Sequence, residues 1–83
     1  MTANRSDARA LAVRYGLALR RVMAERRMLC PALAAAVGVS VTSIRFYRQG
    51  RYLPSVPLAE AIADALDAPD LDALAGRLRI GVC

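Results

Sequence analysis

Several residue types that usually build chemical sites are absent or scarce in this sequence. It has no histidine, tryptophan or lysine, and its two cysteines, Cys30 and Cys83, form no CxxC pair. Without histidine or paired thiols, a metal site is not expected. No carboxylates are paired beside a nucleophile, and no glycine-rich loop is suited to holding a phosphate. We therefore expect no cofactor and no enzymatic activity.

Long hydrophobic runs are missing as well. No apolar stretch approaches the roughly 18 residues that a membrane span needs, and residues 1–10 are mixed and polar, unlike a secretory signal. We therefore expect a cytoplasmic protein with reduced thiols and no membrane partner. A chain of 83 residues forms one small domain, whose stability depends on good packing or on oligomerisation.

The positive charge comes from arginine alone and is unevenly distributed. Residues 1–51 contain ten arginines against two acidic residues, a balance of +8, whereas residues 52–83 have a balance of −3. The first part of the chain is therefore a candidate surface for a polyanion. The alternative is a solvated arginine face in a protein that uses arginine instead of lysine.

The spacing of apolar residues predicts an all-α domain of five short helices. The first has one apolar stripe and is expected to end near Arg27. Because Gly16 weakens a helix, residues 1–14 are expected either to extend this helix or to form a separate arm. The stripe consists of Leu11, Tyr15, Leu19, Val22 and Met23.

Capping residues and helix breakers delimit the other helices. The second opens with Pro31 and stops at Gly38, and Ser40 caps a third over residues 41–49. Ser55 caps a fourth, and residues 69–70 start a fifth. Residues 78–82 alternate in strand fashion, which predicts either a β tail that pairs with the tail of a second copy or an unstructured terminus.

The second and third helices and the turn between them have the features of a helix-turn-helix. Gly38 supplies the left-handed backbone that a sharp turn requires, and small Ala34 allows the two helices to approach closely. The residues expected to form their contact are Leu33, Ala34, Val37, Val39, Ile44 and Tyr47. Short or cationic side chains then remain on the outer face of the third helix, which suits a helix that meets base edges.

These motifs, in this order, resemble the helix-turn-helix domains of phage repressors and Cro proteins, the XRE or Cro/CI family. Residues 15–20, the Gly38-Val39-Ser40 turn, Gly50 and residues 58–66 match the family pattern. The resemblance implies a lambda-repressor-like domain over residues 15–75, between an N-terminal arm or helix extension (1–14) and a tail (76–83). It also implies a dimeric, nucleoid-associated transcriptional repressor that inserts helix 41–49 into the major groove of double-stranded DNA.

The same resemblance assigns candidate DNA contacts. Base reading is expected from the outer face of the third helix, where Phe46 could equally be a core residue. Phosphate binding is expected at the start of the second helix, near the end of the first and third, and in the following loop; Arg26 is a further candidate. The base-reading candidates are Val41, Thr42, Ser43, Arg45 and Phe46, and the phosphate candidates are Arg27, Cys30, Arg48, Arg51 and Tyr52.

The sequence departs from the family pattern at several of these positions. Cys30 replaces a phosphate-binding glutamine, and Val41 replaces a polar base reader. Met23 and Arg48 replace an arginine and a glutamate that form a partly buried ion pair in the family. Both members of that pair are lost together, because one buried charge left alone costs several kcal/mol. Our hypothesis is that Arg48 is thereby released to bind a phosphate.

Two other functions remain open at this stage. One is an antitoxin-type module that binds a toxin or another regulator through residues 1–14 and represses its own operon. The other is an architectural DNA binder of the MerR or excisionase type, because residues 38–47 resemble the beginning of that fold. A MerR-type domain, however, starts with its helix-turn-helix and continues into a β wing, whereas here a helix is predicted on both sides.

Overall fold

The computed structural model describes the backbone of residues 5–68 and 71 and the side chains of residues 9–68 and 71. Within these residues the chain is all-helical, as predicted, and contains four helices and no strand. They are α1 (Arg5–Arg26), α2 (Cys30–Val37), α3 (Val41–Arg48) and α4 (Val56–Leu66). The predicted fifth helix and β tail lie outside the described residues, apart from Leu71, which is buried.

Helix α1 continues without a break through Gly16 and through the predicted boundary between residues 14 and 15. A glycine inside an exposed helix costs about 1 kcal/mol, but here it allows the end of α3 to approach closely. A Cβ atom at this position would lie 2.6 Å from the Tyr47 carbonyl oxygen and 2.8 Å from that of Arg48. Gly16 therefore marks the point where α3 crosses α1.

The turn between α2 and α3 has the predicted chemistry. Gly38 adopts a left-handed φ of 77°, and its N–H donates to the Ala34 carbonyl at 2.9 Å. The Ser40 hydroxyl accepts a hydrogen bond from the Ser43 N–H at 3.1 Å and so caps α3. Between α2 and α3 the helix direction changes by 114°, within the range of about 90–120° that is typical of a helix-turn-helix.

The core forms where the predicted apolar stripes meet. Tyr15, Leu19 and Met23 of α1 are buried, and Ile44 anchors α3 among them. Helix α4 begins after its predicted Ser55 cap and occupies the place where a MerR-type domain has a β wing. It contributes buried residues from one face: Ala59, Ile62, Ala63 and Leu66.

Among the residues that the structure describes, no individual helix combines the length and apolarity of a membrane span. Helices α2 and α3 meet that test of length and composition only when they are taken together as a pair bent by 114°.

Candidate nucleic-acid interface

Helix α3 divides into a buried face and an exposed face. Ile44 is fully buried, whereas Thr42 and Arg45 are exposed on the opposite side. Gln49, the C-terminal cap of α3, is also exposed and lies four residues after Arg45. Gln49 was not among the predicted base readers, although its spacing from Arg45 places both on one helix face. The exposed face is thus formed by Thr42, Arg45 and Gln49.

Two of the predicted base readers have local roles at the start of α3. Val41 is half-buried and packs against the hydrophobic core. The Ser43 hydroxyl lies 3.0 Å from the Ser40 hydroxyl, and the Ser43 N–H is bound to the same oxygen. Both residues therefore help to hold the leading end of α3 in place.

Phe46 forms an aromatic cluster with the loop that follows α3. Its ring meets that of Tyr52 edge to face at a centroid distance of 5.7 Å, and the Arg51 guanidinium lies 5.1 Å from the centre of the Phe46 ring. Phe46 does not belong to the core cluster formed by the described residues, so the core alternative is wrong. The cluster holds two predicted phosphate contacts, Arg51 and Tyr52, beside a predicted base reader.

Arg48 and Cys30 form a second pair. Arg48 Nη1 donates a hydrogen bond to the Cys30 sulfur at 2.8 Å, and Arg48 Nε is buried without a hydrogen-bond partner among the described residues. Cys30 is the first residue of α2, and its side chain is buried. The Arg48 guanidinium therefore lies at the N-terminus of α2.

The two arginines at the end of α1 have different environments. Arg26 donates from Nε to the Leu66 carbonyl at 2.9 Å and from Nη2 to the Asp67 carbonyl at 3.0 Å. It therefore caps the C-terminus of α4, which corrects the phosphate role considered for it. Arg27 is exposed and has a left-handed φ of 54°. It lines an apolar groove together with Leu29 and Arg48.

Two more grooves flank the point where α3 crosses α1, and each contains an α1 arginine that was not among the predicted DNA contacts. Arg20 lines a groove of about 340 Å³ together with Arg45, Arg48 and Gln49. A groove of about 540 Å³ on the other side contains Arg9. None of the described residues that line either groove is a carboxylate.

Beneath this surface lies the buried side chain of Tyr15. Its hydroxyl has no hydrogen-bond partner within the part of the chain that the structure describes. Burial raises the pKa of this hydroxyl well above its ordinary value, and the neighbouring Tyr47 raises it further. Tyr15 therefore stays neutral in the folded protein and acts as a core residue.

The bent helix pair, its capped second helix and the exposed face of that helix define a protein of the helix-turn-helix class. A family model described as "Helix-turn-helix domain" matches residues 14–78, and the chain belongs to this family. The match is consistent with the XRE- or Cro-like resemblance of the sequence. Comparison with curated proteins gives no match, and comparison with solved structures gives none either.

Proposed function

We propose that this protein is a sequence-specific, double-stranded-DNA-binding transcriptional regulator of the repressor type, with α3 as the helix that enters the major groove. The observation that carries the proposal is the exposed α3 face, with Thr42 and Arg45 pointing away from the buried anchor Ile44. Membership of the helix-turn-helix family supports DNA as the partner.

Arg45 is the principal base reader in this proposal. The commonest specific contact between a protein side chain and a base is the one that arginine or lysine makes with O6 and N7 of guanine. Thr42, near the leading end of α3, donates or accepts one hydrogen bond at a neighbouring base. Val41 and Phe46 present apolar atoms suited to a thymine methyl group, and Ser43 contributes mainly through the α3 cap.

Phosphate contacts on both sides of α3 fix its register in the groove. Arg51 and Tyr52 supply them from the loop that follows α3. Arg27 and Arg48 supply them at the start of α2. The Cys30 side chain is buried, so we assign it the positioning of Arg48 rather than a direct phosphate contact.

We further propose that the regulator binds a palindromic site as a homodimer in the cytoplasm, in association with the nucleoid. A single helix in one major groove contacts few base pairs, and two-fold symmetry doubles the sequence that is read. The predicted tail pairing offers one route to such a dimer.

The proposal is tested by selecting genomic fragments with the purified protein and footprinting the enriched sites. We expect a shared sequence, and Arg45→Ala should relax discrimination at one base position by about 1–3 kcal/mol. Arg14→Ala is the matched control, because Arg14 is also exposed but lies on the side of α1 away from α3. Absence of any enriched sequence, together with no duplex binding at low salt, contradicts the proposal.

A second candidate function is an antitoxin-type module that also binds a protein. It is favoured by two apolar side chains one turn apart on α1, Val13 and Leu17, which are 42% and 59% exposed. If a toxin binds here, it should copurify with the wild type and be lost from the uncharged variant Leu17→Gln, while DNA binding is retained. Retention of the toxin by Leu17→Gln contradicts this candidate.

A further inference from the structure

Two arginines and one glycine share a face of α1. Arg9, Gly16 and Arg20 are separated by seven and four residues. Seven residues make about two helical turns and four make about one, so these positions form a single stripe along the helix. Arg14 and Arg21 lie on the opposite face by the same rule.

The structure shows what this stripe faces. Its glycine contacts the end of α3, where a Cβ atom would clash with two backbone carbonyls. On one side of that contact, Arg9 shares a groove with Gln49, Arg51 and Tyr52. On the other side, Arg20 shares a groove with Arg45, Arg48 and Gln49. The α1 stripe therefore extends the basic surface of α3 in both directions.

The positive charge of this stripe is not balanced locally. Arg21, on the opposite face of α1, is 3.5 Å from a carboxylate oxygen of Glu25. Among the described residues, neither Arg9 nor Arg20 has such a carboxylate partner. The guanidinium groups of Arg9 and Arg20 are exposed, and three further arginines line the same two grooves. Together they produce a local positive field that attracts phosphate.

We propose that Arg9 and Arg20 bind backbone phosphates on either side of the groove that α3 enters, so that α1 is part of the DNA interface. This inference rests on the function proposed above. Arg9 and Arg20 are eleven positions apart, which corresponds to about 16 Å along α1, and the major groove is about 12 Å wide. One helix can therefore place a guanidinium near each rim of the groove.

The test compares two double variants, Arg9→Ala/Arg20→Ala and the matched control Arg14→Ala/Arg21→Ala. Both remove two positive charges from exposed positions of α1, and alanine maintains the helix. Binding to a mixed-sequence DNA duplex is measured by fluorescence anisotropy from about 50 to 200 mM salt, a range over which phosphate contacts dominate the salt dependence. Thermal unfolding by circular dichroism checks that both variants are folded.

Each lost phosphate contact lowers the slope of log affinity against log salt by about 0.9, so Arg9→Ala/Arg20→Ala should lose about 1.8. When the salt concentration rises fourfold, the factor by which the wild type loses affinity should be about twelve times the factor for this variant. The control variant should keep a slope close to that of the wild type. Arg9→Lys/Arg20→Lys, which preserves both charges, should restore most of the slope.

Equal slopes for the wild type and Arg9→Ala/Arg20→Ala overturn the inference. An equal decrease of the salt slope in both double variants also overturns it, because the decrease then follows from the net charge of the protein and not from the positions of Arg9 and Arg20. In either case the wild type still binds DNA, so the proposed function stands. Failure of the wild type to bind any duplex at low salt instead removes the proposed function, and this inference with it.

Discussion

The contact between Arg48 and Cys30 places a guanidinium at the N-terminus of α2. A helix N-terminus carries partial positive charge, so a cation there is unfavourable and an anion is favourable. The buried Nε of Arg48, without a partner among the described residues, adds an unused donor at the same place. A phosphate group bound at this end of α2 would offset the unfavourable cation, which is the physical basis for the role proposed for Arg48.

This arrangement predicts that Cys30 acts on DNA only through Arg48. Arg48→Ala should weaken duplex binding and lower the salt slope by about 0.9. Cys30→Ala should weaken binding in the wild type but add little in the Arg48→Ala background. A double-mutant cycle measured by anisotropy should therefore give a coupling of at least about 0.5 kcal/mol. Additive effects of the two substitutions contradict the positioning role.

Tyr15 predicts a loss of stability at high pH. The hydroxyl ionises near pH 10 in the unfolded chain, whereas burial and Tyr47 raise its pKa in the folded protein. Above about pH 10 the unfolded state therefore binds fewer protons than the folded state, and the free energy of unfolding falls as pH rises.

Tyr15→Phe removes this group and its unpartnered hydroxyl. We expect it to raise the free energy of unfolding by about 1 kcal/mol at neutral pH and to reduce the decline above about pH 10. Urea denaturation at several pH values measures both effects. Tyr52→Phe, at an exposed position, is the control and should change neither. If the free energy of unfolding of Tyr15→Phe falls with pH as steeply as that of the wild type, Tyr15 is not the source of the decline.

At the scale of elements, the crossing of α1 and α3 depends on the missing side chain at Gly16. In an exposed helix, glycine to alanine stabilises by about 1 kcal/mol. Here the added Cβ would meet backbone atoms 2.6 Å and 2.8 Å away, which cannot rotate aside as a side chain does. We therefore predict that Gly16→Ala lowers the free energy of unfolding by about 1–3 kcal/mol, the usual range for overpacking.

Urea denaturation measures this change, and the same variant should bind DNA less tightly because α3 must shift. The exposed Ala24 supplies a control for helix propensity alone. Ala24→Gly should cost about 1 kcal/mol and leave the geometry of α3 unchanged. A gain in stability from Gly16→Ala means that the crossing is looser than the structure shows.

The ends of α1 and α4 provide a matched pair of substitutions. Arg27 and Asp67 have left-handed φ values of 54° and 50°, a conformation that costs most residues about 1–2 kcal/mol and glycine almost nothing. Glycine loses more entropy on folding, so the net gain from either substitution to glycine should be up to about 1 kcal/mol. Denaturation of Arg27→Gly and Asp67→Gly measures this gain.

Only one of these two substitutions should affect DNA binding. Arg27 is proposed to bind a phosphate, so Arg27→Gly should combine higher stability with weaker duplex binding. Asp67 lies at the end of α4, and its carbonyl accepts from Arg26 in either variant. The Asp67→Gly variant should therefore be more stable than the wild type and bind the DNA duplex equally well. If Arg27→Gly binds the DNA duplex as tightly as the wild type, Arg27 does not contact DNA.

At the scale of the whole molecule, the small size of the domain and its single reading helix favour a symmetric dimer. We predict that footprinting shows two protected half-sites about one helical turn apart, near 34–36 Å. Deleting residues 77–83 should give a monomer with weaker binding to the paired sites, as measured by sedimentation and anisotropy. One half-site, or a dimer that survives the deletion, contradicts the tail-mediated pairing.

The sequence by itself determined the local features of this protein. The Ser40 and Ser55 caps, the Gly38 turn and the buried stripe of α1 were all predicted and confirmed. Caps, turns and periodicity depend on residues only a few positions apart, so the sequence contains all the information that they need. The helix-turn-helix class followed from them.

The partners of the long side chains were decided only by the tertiary structure. Arg48 meets a sulfur 18 residues away, and Arg26 meets a carbonyl 40 residues away. Phe46 joins the following loop rather than the core, and Gly16 receives the end of α3 instead of breaking α1. Arginine reaches many atoms, and which of them it meets depends on how the helices cross. Helix crossing is set by packing throughout the core, which no local pattern specifies.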